Sequence, residues 1–237
     1  MSAQKQPDTA TLTNLTDAVV ALDPQRRQRR WTSLSFCIFD AVWSIGANYD
    51  NVVVPLVREK FAEKLGVTQP TIPASETLPE DPLPLSKLGG LTVDSLTGMT
   101  NRQRTSTRGG IRKADAVLQH VAVFRDHKVE TMQDALALFP DLERFNQVDE
   151  ALRSIPGEGS FGIRRNYLWM TVGQDDLIKP DRMVLRWLER HEVKTDPAGA
   201  REIIAALVPA VSQKLKRDVT AWEIDRALWL AGRKKAG

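Results

Sequence analysis

Apolar residues in this chain recur at spacings of three and four, and nowhere do they alternate with polar ones over a run that would make a half-buried strand. Leu34, Ile38, Val42 and Ile45 set the pattern, and Ile111, Ala114, Val117, Leu118 and Val121 repeat it. That period gathers side chains onto one face of an α-helix, so the chain is predicted to be all-α, without a sheet. Helices are expected over residues 15–22, 31–45, 48–65, 111–124, 131–138, 142–155, 163–172, 182–191, 198–216 and 221–230. Pro55 marks a kink or a later start in the third of these. Thr220 followed by Glu223 is a capping-box pattern that starts the last one. Residues 1–14 are polar and expected to fray. Residues 66–88 carry five prolines and little periodicity, which predicts a long, flexible connection between lobes.

Charge and cysteine content narrow the function classes. Apolar residues make up 42% and charged residues 27%, the balance of a soluble globular protein. No run approaches about 18 apolar residues, and no basic stretch precedes an apolar core at the N-terminus. The expected location is therefore the cytoplasm, with no membrane partner. A lone cysteine, Cys37, excludes an intrachain disulfide and any all-cysteine metal or iron–sulfur site. The net charge of +3 says little, but its distribution says more. Arg102, Arg104, Arg108, Arg112 and Lys113 stand in residues 101–113 with no acidic neighbour, and Arg26, Arg27, Arg29 and Arg30 crowd a second segment. Each cluster suits nucleic acid or an anionic lipid surface, or else a solvated face.

The stretch "IPGEGSFGIRR", residues 155–165, lies between two predicted helices. It lacks the preceding strand of a dinucleotide fold and the lysine of a phosphate loop. Gly157 and Gly159 permit a tight turn and close backbone approach. The next helix begins with unpaired N–H groups suited to a phosphate oxygen, within reach of Arg164 and Arg165. Further on, Asp181 follows Pro180 and opens an amphipathic run, a pattern that by itself reads as a helix cap.

Taken together, residues 155–159 resemble the hairpin of the helix-hairpin-helix DNA glycosylases, typically Leu-Pro-Gly-(apolar)-Gly. In that superfamily a catalytic aspartate opens the following helix within Val-Asp-x-x-(apolar)-x-Arg. Here Asp181 is followed by Met183 and Val184 at the apolar positions and by Arg186 at the arginine. The resemblance implies two helical lobes, with the helix-hairpin-helix motif flanking a cleft. Residues 1–30 would be a tail and short helix, and residues 31–237 the glycosylase-like domain. It also implies a monomer on double-stranded DNA in the nucleoid. Gly157, Gly159 and Ser160 amides would grip the backbone, and hairpin carbonyls would hold a monovalent cation, with no other cofactor or metal. Arg108, Arg112 and Lys113 would hold a further stretch. Asp181 would stabilise the sugar cation and the attacking water, and Trp43, Asn48, Tyr49 and Tyr167 would line the base pocket or act as a wedge.

Two departures matter. Glu158 replaces the usual apolar residue of the hairpin, which predicts an acidic group facing the DNA. Phe161 stands where lyase members carry a Schiff-base lysine, so the resemblance implies hydrolysis of the glycosidic bond without strand cleavage. The alternatives are a non-catalytic DNA-binding relative and a helical interaction protein with no nucleic-acid role. In the last segment Trp222 and Trp229 read as structural, and Asp225 either pairs with a basic neighbour or caps nothing. Asp175 and Asp176 are nearby alternatives to Asp181.

Overall fold

The computed structural model describes residues 8–158 and 160–234. In chain order the helices are α1 (Thr9–Ala21), α2 (Leu34–Trp43), α3 (Ala62–Lys64), α4 (Leu85–Gly89), α5 (Val93–Met99), α6 (Lys113–Asp126) and α7 (Met132–Leu136). They continue as α8 (Leu142–Leu152), α9 (Ile163–Val172), α10 (Arg182–Arg190), α11 (Pro197–Leu215) and α12 (Ala221–Arg233). The fold is all-α with one small addition. Strands β1 (Arg29–Trp31) and β2 (Thr71–Pro73) pair antiparallel, with Arg30 opposite Ile72. The expectation of no sheet is corrected there, because three-residue strands are too short to leave an alternating pattern.

Residues 28–174 form one compact unit. Helix α2 is buried along its whole length, and its aromatic side chains stack in two pairs: Phe39 lies 5.1 Å from Trp43, and Phe36 lies 5.6 Å from Trp31 of β1. The proline-rich segment is built into this unit rather than forming a flexible strap. It supplies β2 and the buried Asp81, whose Oδ2 accepts the Leu34 and Met132 amides and whose Oδ1 accepts the Leu83 amide. One carboxylate therefore satisfies amides at the starts of both α2 and α7.

Past Trp43 the chain does not run as a plain α-helix. Tyr49–Val53 and Pro55–Phe61 are π-helical, and α3 follows them. Pro55 offers no N–H and its ring crowds the carbonyl four residues back, so the ladder widens at the position that the sequence marks as a kink.

Residues 8–27 and 175–234 fall in the other unit, in which α1, α10, α11 and α12 enclose Leu15, Val19, Val184, Leu188, Ile204, Leu207 and Leu228. Helix α1 begins at Thr9, where the Asp8 carboxylate caps the Thr11 amide, earlier than the apolar pattern indicates. Helices α10 and α12 cross closely at Gly232, where a Cβ would lie 2.1 Å from the Met183 carbonyl oxygen. Only half of the predicted capping box forms at α12. The Glu223 amide donates to Thr220 Oγ1 at 3.2 Å, but the Glu223 carboxylate turns to Arg217 at 2.6 Å.

Candidate nucleic-acid interface and active site

In the unit of residues 28–174, residues 101–113 double back on themselves. The Thr105 amide donates to the Ile111 carbonyl at 2.9 Å and the Lys113 amide to that of Gln103 at 2.8 Å. The turn leaves Arg102, Arg104, Arg108 and Arg112 exposed, with Arg112 held by Asp94 at 2.6 Å. Lys113 has the opposite fate. It is 1% exposed, and its Nζ donates to the carbonyls of Trp43 (2.9 Å) and Ile45 (2.7 Å) and to Gln103 Oε1 (2.9 Å). Burial, and then the Arg164 charge, bring its ammonium down to about 8. Lys113 therefore fastens the arginine turn to the carbonyl end of α2, and the expected phosphate contact is corrected on that ground.

Gly157 explains how this turn meets the glycine stretch. It has φ +116°, and a Cβ there would lie 2.4 Å from Thr105 Cβ. The missing side chain makes room for the arginine turn. The structure thus sets the two segments side by side. Glu158 turns inward: it is 6% exposed, with Oε1 3.4 Å from His120 Nε2 on α6, so the expected DNA-facing carboxylate is corrected. Gly159 lies outside the described residues, and Ser160 opens a 3-10 turn, Ser160–Gly162, ahead of α9. Within it Phe161 takes φ 65° and stays 50% exposed, a left-handed backbone costing roughly 1–3 kcal/mol in a residue of that bulk.

The two arginines that open α9 serve the interior. Arg165 Nε donates to Asp149 at 3.1 Å, and Arg164 reaches the Thr105 carbonyl at 3.4 Å, its guanidinium lowered by burial against the raising charge of Glu158. Of the carbonyls at this turn, that of Ile155 accepts the Glu158 amide at 3.3 Å. Three arginines of the second basic cluster also hold other parts of the chain. Arg29 holds Thr71, Arg30 donates to the Glu76 carbonyl, and Arg27 pairs with Asp175 at 2.6 Å while lying 4.2 Å from the Trp222 ring centre.

The expected pocket residues divide in two. Trp43 is fully buried, stacked on Phe39, and donates its indole N–H to Asn101 at 3.2 Å, so it presents no face to a base. Asn48 is exposed and caps the Asn51 amide at 3.1 Å. Tyr49 and Tyr167, both half-buried, meet on Asp40. Tyr49 donates to Oδ2 and Tyr167 to Oδ1, each at 2.9 Å, and the Trp31 indole donates to Oδ2 at 3.0 Å. Burial first, then the Asp40 charge and Tyr49, raise the Tyr167 phenol well above its ordinary value. Asp40 was not among the expected site residues. Its signal was an acid inside the apolar run "FCIFDAVW".

In the other unit Asp181 caps α10, Oδ1 accepting the Met183 amide at 2.7 Å and that of Val184 at 3.5 Å. Its own amide donates to the Lys179 carbonyl at 2.6 Å, closing a tight turn about Pro180. Lys179 Nζ stands 3.8 Å from Asp181 Oδ2, and the Asp181 side chain remains 27% exposed. From α12, Asp225 Oδ1 accepts the Lys179 amide at 2.9 Å. Asp225 is 3% exposed. Burial pushes its carboxyl up to about 7, the Lys179 charge and amide opposing and the Asp181 charge adding to the rise. Neither Lys179 nor the contact of Asp225 with it was visible in the sequence, since nothing local pairs residues 46 positions apart.

Among the described residues no group of three or more histidine, cysteine or acidic side chains could hold a metal ion, and no helix is long and apolar enough to cross a membrane. No curated protein and no solved structure matches the chain. A family described as "Domain of unknown function (DUF8548)" matches over residues 10–233, nearly the whole chain, and the protein belongs to that family.

Proposed function

We propose that the protein is a monofunctional DNA glycosylase, hydrolysing the N-glycosidic bond of a damaged or modified base turned out of duplex DNA. The observation that carries this reading is the setting of Asp181. Two amides orient its carboxylate, a lysine ammonium stands beside it, and a quarter of the side chain is open to solvent. Breaking the glycosidic bond builds positive charge on deoxyribose, and a fixed anion stabilises that charge without reorganising. The same carboxylate can orient the attacking water or take its proton. Arg102, Arg104, Arg108 and Arg112 would neutralise phosphates, and the adjoining glycine turn would approach the strand. A base inside the duplex must be extruded to be reached.

A second reading has its own support. The amide bonds of Asp181 are those of any aspartate helix cap, which favours a DNA-binding protein without chemistry. Mass spectrometry of bases released from a panel of alkylated, oxidised, mispaired and enzymatically modified duplexes separates the two, with Asp181→Asn as control. Base release by the wild type, lost in the variant while DNA binding persists, is the expected result. Release that continues in Asp181→Asn would overturn the assignment of the catalytic group. Salt-dependent binding with no base released from any duplex would favour the non-catalytic reading.

A further inference from the structure

The turn that presents Asp181 is held from outside itself by α12. Pro180 supplies no N–H, and the Asp181 amide is spent on the Lys179 carbonyl. The Lys179 amide is therefore the turn's handle, and Asp225 takes it at 2.9 Å from the first half of α12. The second half of α12 is locked against α10 by the close approach at Gly232 and by Arg186, which donates to the Gly232 carbonyl at 3.3 Å. We propose that Asp225 is a positioning residue for Asp181, fixing through the Lys179 amide the turn from which that carboxylate is presented. The inference rests on the glycosylase reading for what Asp181 does, but its geometry is independent of that reading.

The surroundings of Asp225 make the hold sensitive to its charge. The charged groups that bear on it are Lys179 and Asp181, from the segment before α10. Within α10, Arg186 and Arg190 are directed to the carbonyls of Gly232 and Ala231 at the far end of α12. Helices α1 and α11 contribute apolar side chains to the shared core, among them Leu15, Val19, Ile204 and Leu207. On α12 itself Glu223 is taken by Arg217, and Arg226 lies 5.5 Å from the Trp222 ring centre. An ionised Asp225 accepts the amide in a charge-assisted bond, roughly twice as strong as the neutral one. Its carboxyl titrates near 7, so the turn is held more firmly above that pH than below it.

Amide NMR of the full chain between pH 5 and 9 tests the coupling without any substrate. The Lys179 amide is expected to move with a midpoint near 7, and the Met183 and Val184 amides, which report on the Asp181 carboxylate, to move with it. All three movements should vanish in Asp225→Asn, which keeps an acceptor but has no titrating group. A Lys179 amide that moves while Met183 and Val184 stay still would overturn the proposal, as would the absence of any titration. Where the panel above yields a releasable base, single-turnover release by the wild type should fall below pH 7, and Asp225→Asn should lack that limb. Asp225→Ala should lose roughly ten- to a hundredfold in rate with binding little changed, the scale of a small misplacement at a reacting centre, and the asparagine variant should recover most of the loss. Equal losses in both variants would also overturn it. If the wild type releases no base from any duplex, the glycosylase reading fails by itself, and the amide titration still decides whether Asp225 positions Asp181.

Discussion

Replacing Asp225 with asparagine should stabilise the protein at neutral pH, even though it is expected to change the pH dependence of the site it serves. Asparagine keeps an oxygen for the Lys179 amide and removes the charge. A carboxyl raised in the folded state, from 3.8 to about 7, is penalised when ionised. Its favourable contribution is full below the unfolded value and is lost as pH climbs through the folded one. Each pH unit in that interval is worth roughly 1.4 kcal/mol, so the cost of the ionised group above neutrality is on the order of 4 kcal/mol. Asp225 is almost fully buried, so solvent screening removes little of this. The chain divides into two compact units, each of which can unfold in its own transition. Hydrogen exchange of α12 amides, at several pH values and urea concentrations, therefore reports the relevant unit directly. Wild type and Asp225→Asn should agree near pH 4, separate between about pH 4 and 7, and stay apart above that, with the variant more stable. If the variant is less stable at pH 8, Lys179 repays the burial of Asp225 and the reasoning is wrong.

Three further outcomes follow from contacts on the same pages of the fold. Gly232→Ala should destabilise by about 3 kcal/mol or more in urea melts, because its Cβ would meet the Met183 backbone, which has nowhere to yield. Gly157→Ala should destabilise for two reasons, its φ of +116° and its contact with Thr105; adding Thr105→Gly should recover only the steric part. Changing Arg102, Arg104 and Arg108 to glutamine one at a time should each lower the salt dependence of duplex binding by close to 0.9 in log–log slope, whereas Arg165→Gln should weaken folding through Asp149 and leave that slope unchanged.

Much of the helical framework could be read from periodicity, because a spacing of three and four records which face of a helix is buried. Helix α9 begins and ends where the pattern does, while α10 departs from its pattern by one residue at its C-terminal end and α11 by one residue at each end. What periodicity could not convey was how polar groups are used. Asp81 looks like a solvated acid in a proline-rich link, yet three amides converge on it. Lys113 and Arg165 look like parts of a basic face, yet their donors are taken by carbonyls and a carboxylate inside the same unit. The signs of charge are written in the sequence, but their direction depends on contacts between residues far apart along the chain.

The same distinction bears on Glu158 and Asp181, which are both acids at positions where a motif assigns them meaning. Glu158 is buried against His120, and its Oε2 has no hydrogen-bond partner among the described residues, so its place in the turn costs folding free energy. Asp181 is held by amides while part of it stays open to solvent. An acid kept both oriented and accessible can act on another molecule, whereas one drawn into the interior can act only on its own chain. That difference in environment, rather than the spacing of either residue within a motif, is the reason for assigning the chemistry to Asp181.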